Sequence, residues 1–167
     1  MLALGILHGI LLAALASILL LLMRVSNPHV AFLGRIPGTN TYSDMDRHPE
    51  NELLFGVIAF RPEASLIYVN AESVLEWVMD RLRTASTPVK LVVCDLSAAP
   101  YLDLAGARML HDLHDNLKAR AILFRIVGAH GSDRDLLRAE GIDEKVGGLR
   151  RSLTLDALLA AQQSSRS

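Results

Sequence analysis

A single cysteine, Cys94, and a single tryptophan stand in a chain of 167 residues whose aromatic content is 5%. The lone thiol rules out an intrachain disulfide and deprives a thiolate zinc site of its partner ligands. It also fits a reducing compartment, since secreted domains tend to pair their cysteines. An excess of charge is missing too: 17 Lys and Arg oppose 18 Asp and Glu, a net charge of -1. Such a surface has no long-range pull on nucleic acid, and scarce aromatics supply no stacking platform for bases. No nucleic-acid partner is expected. The chain also lacks a G-x-G-x-x-G fingerprint, a P-loop, an internal repeat and any low-complexity tract beyond the polar stretch from Gln162 to Ser167. No nucleophile with a base, carboxylate pair or metal set emerges, so no enzymatic activity, cofactor or metal is expected.

What the chain does have is an uncharged apolar run from Leu2 to Met23. As a helix of about 22 residues it reaches roughly 33 Å, enough for a hydrocarbon core of about 30 Å. Residues 1–24 are therefore read as a transmembrane helix, with the lipid bilayer as its partner. Ala14-Leu15-Ala16 resembles a signal-peptidase site, but no basic residue precedes the run and Ile18 to Met23 continues past the cut. Arg24 and Arg35 follow the helix, so the positive-inside bias places the rest of the chain in the cytoplasm, beneath the inner (plasma) membrane. His8 sits inside the run about two turns from its start. An ionisable side chain there is costly, and a role in transport by an intact parent protein is one reading.

Residues 25–52 are rich in Pro, Gly, Asn and Asp and are read as a linker, with Pro37-Gly38 favouring a turn. Residues 53–163 are read as one domain, followed by a polar tail at 164–167. Within the domain, Gly56 to Phe60 and Leu66 to Val69 suggest two neighbouring short strands. Asn70 is expected to cap a helix carrying Val74, Trp77, Val78 and Leu82. Val89 to Leu96 has the continuous apolar character of a strand buried on both faces, and Asp103 can cap the helix that follows. Gly106, Leu110, Leu113 and Leu117 share a stripe of that helix, with Gly106 allowing close approach to the sheet. Ala121 to Val127 reads as another buried strand, Ser132 as the cap of a helix ended by Gly141, and Ser152 as the start of a last helix. Strands alternating with helices imply an α/β fold with a mostly parallel sheet. The expected core draws on Val57, Ile58, Val92, Val93, Leu110, Leu113, Ile122 and Ile126.

Two stretches carry a family resemblance. Pro28 to Thr39, with its Gly34-Arg35-Ile36-Pro37-Gly38-Thr39 centre, followed by Tyr42-Ser43-Asp44, resembles the junction after the last membrane helix of SulP-type anion permeases. Asp95-Leu96-Ser97 through Asp103-Leu104-Ala105-Gly106 looks like the loop and helix start of a STAS domain, the fold shared with anti-sigma-factor antagonists. Leu66 to Glu72 looks like that family's second strand entering its first helix. The resemblance implies the C-terminal part of a sulfate-type transporter, dimeric, with many more membrane helices upstream and a cytoplasmic STAS domain serving assembly and regulation. One helix cannot build a midplane substrate path, so the chain alone is expected not to transport. The alternative is a membrane-tethered STAS signalling module that binds a kinase or anti-sigma factor.

The resemblance makes Asp95, Ser97, Asp103, Leu104 and Gly106 the candidate regulatory positions, and Gly34, Arg35, Pro37, Gly38 and Thr39 the junction motif. In the antagonist branch a phosphorylatable hydroxyl follows the loop aspartate; here that position is Leu104. Three further features have structural explanations. Asp103 is expected to be a plain cap. His111, His114 and Asp115 are neighbours on one helix surface, more simply a solvated face than a metal site. Cys94 is expected to pack as a small hydrophobe. Gly128-Ala129-His130-Gly131 before a helix is a weak anion-cradle pattern.

Overall fold

The computed structural model describes residues 2–164; Met1 and residues 165–167, the ends of the expected span and tail, lie outside the described residues. The apolar run forms α1 (Leu2–Ser26), which has no Pro and is rich in Leu and Ala, both strong helix formers. It is long and apolar enough to cross a membrane, and its side chains from Ile6 to Val25 are all exposed. The chain then enters β1 (Val30–Arg35), β2 (Tyr42–Asp44) and β3 (Val57–Pro62). Next come α2 (Tyr68–Arg83), β4 (Leu91–Asp95), a 3-10 turn at Leu96–Ala98, and α3 (Leu104–Lys118). β5 (Leu123–Val127), α4 (Gly131–Ala139) and α5 (Leu155–Ser164) complete it.

The five strands lie in the order β2-β1-β3-β4-β5. β3, β4 and β5 are parallel, whereas β1 runs antiparallel to both β2 and β3. The sheet is thus mixed, parallel in its second half only. The antiparallel half comes from the stretch read as linker. Val30, Ala31 and Leu33 are buried there, and Phe32 pairs with Phe60 of β3. Turn-forming residues dominate the composition of residues 25–52 and hide this six-residue strand.

Burial on β4 follows the two-residue period of a pleated strand. Val92 and Cys94 face a core completed by Val74 and Val78 of α2 and by Leu110, Leu113 and Leu117 of α3. Leu91 and Val93 face the other way, onto Leu155, Leu158 and Leu159 of α5. Of the expected core, Val57, Ile58 and Ile122 are only half-buried, because each sits at the start of a strand or just before one.

Several local expectations change. Leu66 to Val69 is no strand: Leu66 makes one isolated bridge to Leu102, and α2 has begun by Tyr68. The cap position of α2 is Ile67; Asn70 lies three residues inside and its Oδ1 accepts from the Ile67 N–H at 3.0 Å. Gly106 does allow a close approach, but to backbone rather than sheet, since a Cβ there would come within 2.6 Å of the Leu66 carbonyl oxygen. His130, not Ser132, occupies the cap of α4. α5 starts at Leu155, where Thr154 Oγ1 accepts from Ala157 N–H.

The role of β1 gives the first prediction. A fragment starting at Leu53 loses β1 and β2 and bares the edge of β3, so it should give no cooperative thermal transition, whereas one starting at Pro28 should melt as a unit. Circular dichroism of the two fragments checks this. In the longer fragment Val93→Asp should abolish the transition. Val93 has no exposed surface, and an unpaired buried charge costs several kcal/mol against about 5–15 kcal/mol of total stability.

Candidate functional site

β1 leaves α1 after only a short connection, and its first residue, Val30, pairs with Pro62 at the end of β3. β4 and β5 run parallel to β3. The carboxyl ends of all three parallel strands, and the starts of α2 and α3, are therefore gathered at the end of the domain nearest α1. Asn70 fixes this arrangement directly: its Nδ2 donates to the Val25 carbonyl oxygen of α1 at 3.3 Å and to Ser65 O at 3.0 Å.

Asp95 closes β4 and is buried. Its Oδ2 accepts from Arg61 Nε at 2.9 Å and Nη2 at 2.7 Å, and its Oδ1 accepts from Ser97 N–H at 3.0 Å. The carboxylate is thus paired with a guanidinium and caps the 3-10 turn, leaving Ser97 exposed on that turn. Gly128, at a φ of 70°, presses against the same group; a Cβ there would sit 2.6 Å from Asp95 Oδ1. The loop from Gly128 to Gly131 is therefore packed on a carboxylate, a poor setting for an anion. Arg134 Nη1 also donates to Ala129 O within it at 2.7 Å.

Asp103 does more than cap one helix. Its Oδ1 accepts from Gly106 N–H of α3 at 2.8 Å, and its Oδ2 accepts from Tyr68 N–H of α2 at 2.9 Å. Both helix starts carry unpaired N–H groups and partial positive charge, so one carboxylate satisfies donors of each. Backbone bonds from Leu66 N to Tyr101 O and from Asp103 N to Leu66 O hold the two loops together, each at 3.0 Å. Leu104 lies beside this clasp at 42% exposure, with Tyr68 at 81% and Tyr101 at 56%. With Ser26 of α1 they line an open groove between the starts of α2 and α3. The position where antagonists carry a hydroxyl thus presents hydrocarbon.

The junction residues shape the β1–β2 hairpin. Pro37 and Gly38, the latter at a φ of 74°, occupy the middle of a turn closed by Thr39 N–H donating to Ile36 O at 3.1 Å, as a type II turn requires. Thr39 Oγ1 also accepts from Thr41 N–H at 3.2 Å. Gly34 has Met45 and Asn51 packed where a Cβ would be. Arg35 Nη2 meets Glu52 Oε2 at 2.8 Å, and this hydrogen bond raises the guanidinium's pKa further. Beside the hairpin, buried Asp44 accepts from His29 Nε2 at 2.7 Å, a contact the sequence reading missed for want of any motif.

The other candidates are accounted for by local packing. His114 Nδ1 bonds Asp115 Oδ1 at 2.8 Å and holds that carboxyl below its usual range. Lys145 donates to His111 Nε2 at 2.5 Å, a cation placed where a metal would need a free lone pair. Among the described residues no group of three His, Cys, Asp or Glu could hold a metal ion. Cys94 is fully buried, and desolvation pushes its thiol well up, so the reactive thiolate is suppressed.

Comparison with known proteins gives these features a family. The model of the STAS domain matches residues 48–157. A probable sulfate transporter of Mycobacterium tuberculosis is 30% identical over 160 residues, covering 96% of this chain and 29% of the relative. Probable sulfate transporter 4.2 of Arabidopsis thaliana is 29% identical over 156 residues, covering 86% of this chain and 22% of that protein. The chain thus spans less than a third of the length of these relatives. Among solved structures, the murine Slc26a9 anion transporter in its inward-facing state superposes with a TM-score of 0.76 at 19% identity, over 93% of this chain and 26% of that one. The STAS domain of a SulP transporter from Vibrio cholerae gives 0.53 at 19% identity, over 73% of this chain and 93% of its own. A putative anti-sigma factor antagonist from Thermotoga maritima gives 0.56 at 17%, over 70% and 92%. These likenesses are of fold. The match over residues 48–157 and the 30% identity across the chain show that it belongs to the STAS-domain family, with sulfate transporters as its sequence relatives.

Proposed function

We propose that this chain acts as the STAS-bearing part of a SulP-type sulfate transporter, anchored by α1 in the cell membrane with its domain in the cytoplasm. The observation that carries this reading is the extent of the match: helix and domain align together, over 96% of the chain, with a stretch that makes up 29% of a probable sulfate transporter. The charge pattern supports the orientation, with Arg24 in the last turn of α1 and Arg35 beyond it. A single helix cannot shield a polar path from lipid, so the chain does not move anions by itself, and its role is assembly and regulation. No enzymatic role is proposed. The groove edged by Tyr68, Tyr101 and Leu104 lies at the α1 end of the domain, where the other membrane helices of such a transporter would stand.

Cysteine labelling tests the orientation cleanly, because Cys94 is buried and unreactive. In Asp46→Cys, a membrane-impermeant maleimide should label only after the cells are opened; labelling of intact cells would reverse the topology. For transport, the chain alone in liposomes should give no sulfate, chloride or bicarbonate flux above empty vesicles. Supplying the other membrane helices of such a transporter as a separate polypeptide should restore uptake. Leu104→Asp should leave the domain's melting temperature unchanged yet reduce that recovery. Asp103→Ala should lower the melting temperature as well, because caps of this kind contribute about 1 kcal/mol each. Saturable uptake by the chain alone would defeat the reading.

A further inference from the structure

The opposite end of the domain, away from α1, holds a feature that the transporter reading leaves unused. Between the last turn of α2, the residues that follow it and the distal halves of β1 and β3 is a cavity of about 310 Å³. Phe32, Leu33, Leu54, Val57, Ile58 and Val89 supply the apolar part of its walls, and Arg81, Thr84, Ser86 and Thr87 the polar part. Leu53 and Phe55 stand at its mouth, exposed by 72% and 77%.

One charge enters this setting. Arg81 is the single charged side chain among the described residues lining the cavity. Its guanidinium lies 5.1 Å from the centroid of the Phe32 ring, a cation–π contact that orients the planar fork. Nearby Asp80 is engaged by Arg83 at 3.1 Å, and among the described residues no carboxylate comes within ion-pairing distance of Arg81. Ser86 and Thr87 add hydroxyls to the lining. A hollow at the small end of the ligand-pocket range of about 300–1,000 Å³, with an apolar floor, hydroxyls at its edge and one cation that has no carboxylate partner, favours an anionic guest. A neutral guest gains no charge-assisted bond from the half-buried guanidinium, and one guanidinium balances one negative charge. A carboxylate matches the fork with two parallel hydrogen bonds.

We propose that this cavity is a binding site for a small organic monoanion with a flat apolar body, an aromatic carboxylate in chemical class. The carboxylate pairs with Arg81, the ring fills the space between Phe32, Ile58 and Val89, and Phe55 and Leu53 cover it. Because the walls include β1, β3 and the end of α2, occupancy braces the antiparallel half of the sheet against that helix.

The test uses the full chain in nanodiscs with naphthoate as probe, measured by isothermal titration calorimetry against empty discs. The expected result is saturable one-to-one binding. Uncharged naphthylmethanol should bind about tenfold more weakly, and Arg81→Gln should lower naphthoate affinity by a similar factor. Ser86 is exposed on the cavity rim, so Ser86→Trp should block entry while leaving the melting temperature unchanged. Naphthoate binding that is absent, or indifferent to both substitutions, overturns the proposal. So does a change of oligomeric state in Phe55→Ser, read by sedimentation without any naphthoate binding, since it would make the cavity a contact between copies of the chain.

Discussion

The two oxygens of Asp103 each hold the start of a different helix, one at Gly106 of α3 and the other at Tyr68 of α2. Neither helix can slide along its axis without breaking a charge-assisted bond to the other's anchor. Gly106 reinforces the constraint, since its bare Cα lets α3 touch the Leu66 carbonyl. With both helices fixed, their apolar stripes meet one face of β3, β4 and β5, and the buried face of the sheet is determined. Asp95 applies similar logic one strand over, tying Arg61 of β3 to the turn that follows β4. The acidic residues at this end of the domain thus serve as mechanical joints, and the exposed apolar side chains between them remain available for contact.

The parallel half of the sheet could be read from residue patterns alone, because an apolar run such as Leu91 to Cys94 needs two covered faces and finds them. Asp103 as a cap was equally readable, being a short acceptor ahead of an amphipathic stripe. Its second bond, to Tyr68 N–H across 35 positions of chain, was not, since nothing local encodes it. β1 was hidden for a different reason. Its strand character comes from pairing with Phe60, Arg61 and Pro62, and its own neighbourhood of Pro, Gly and Asn argues for coil. Leu66 to Val69 shows the reverse error: β-branched and aromatic residues suggest a strand, but Leu66 has spent its backbone groups on Tyr101 and Asp103, and the helix starts at once.

The junction motif also takes on a physical sense. Pro37, Gly38 and Thr39 make the turn, Gly34 makes room for Met45, and Arg35 bonds Glu52 through both backbone and side chain. This hairpin extends the sheet by two strands at its antiparallel edge. What seems a tether in the sequence is a structural part of the domain, and the fold therefore begins almost where α1 stops.

That closeness has a mechanical consequence. Three residues separate Ser26 from Val30, a reach of roughly 14 Å at full extension. The Asn70–Val25 bond takes up the slack by gripping the last turn of α1. A flexible leash would let the domain swivel beneath the helix and lose all memory of its tilt. A short, bonded joint instead couples the two, so that a change in the tilt of α1 reaches β1 and the start of α2 more directly than a long linker would pass it.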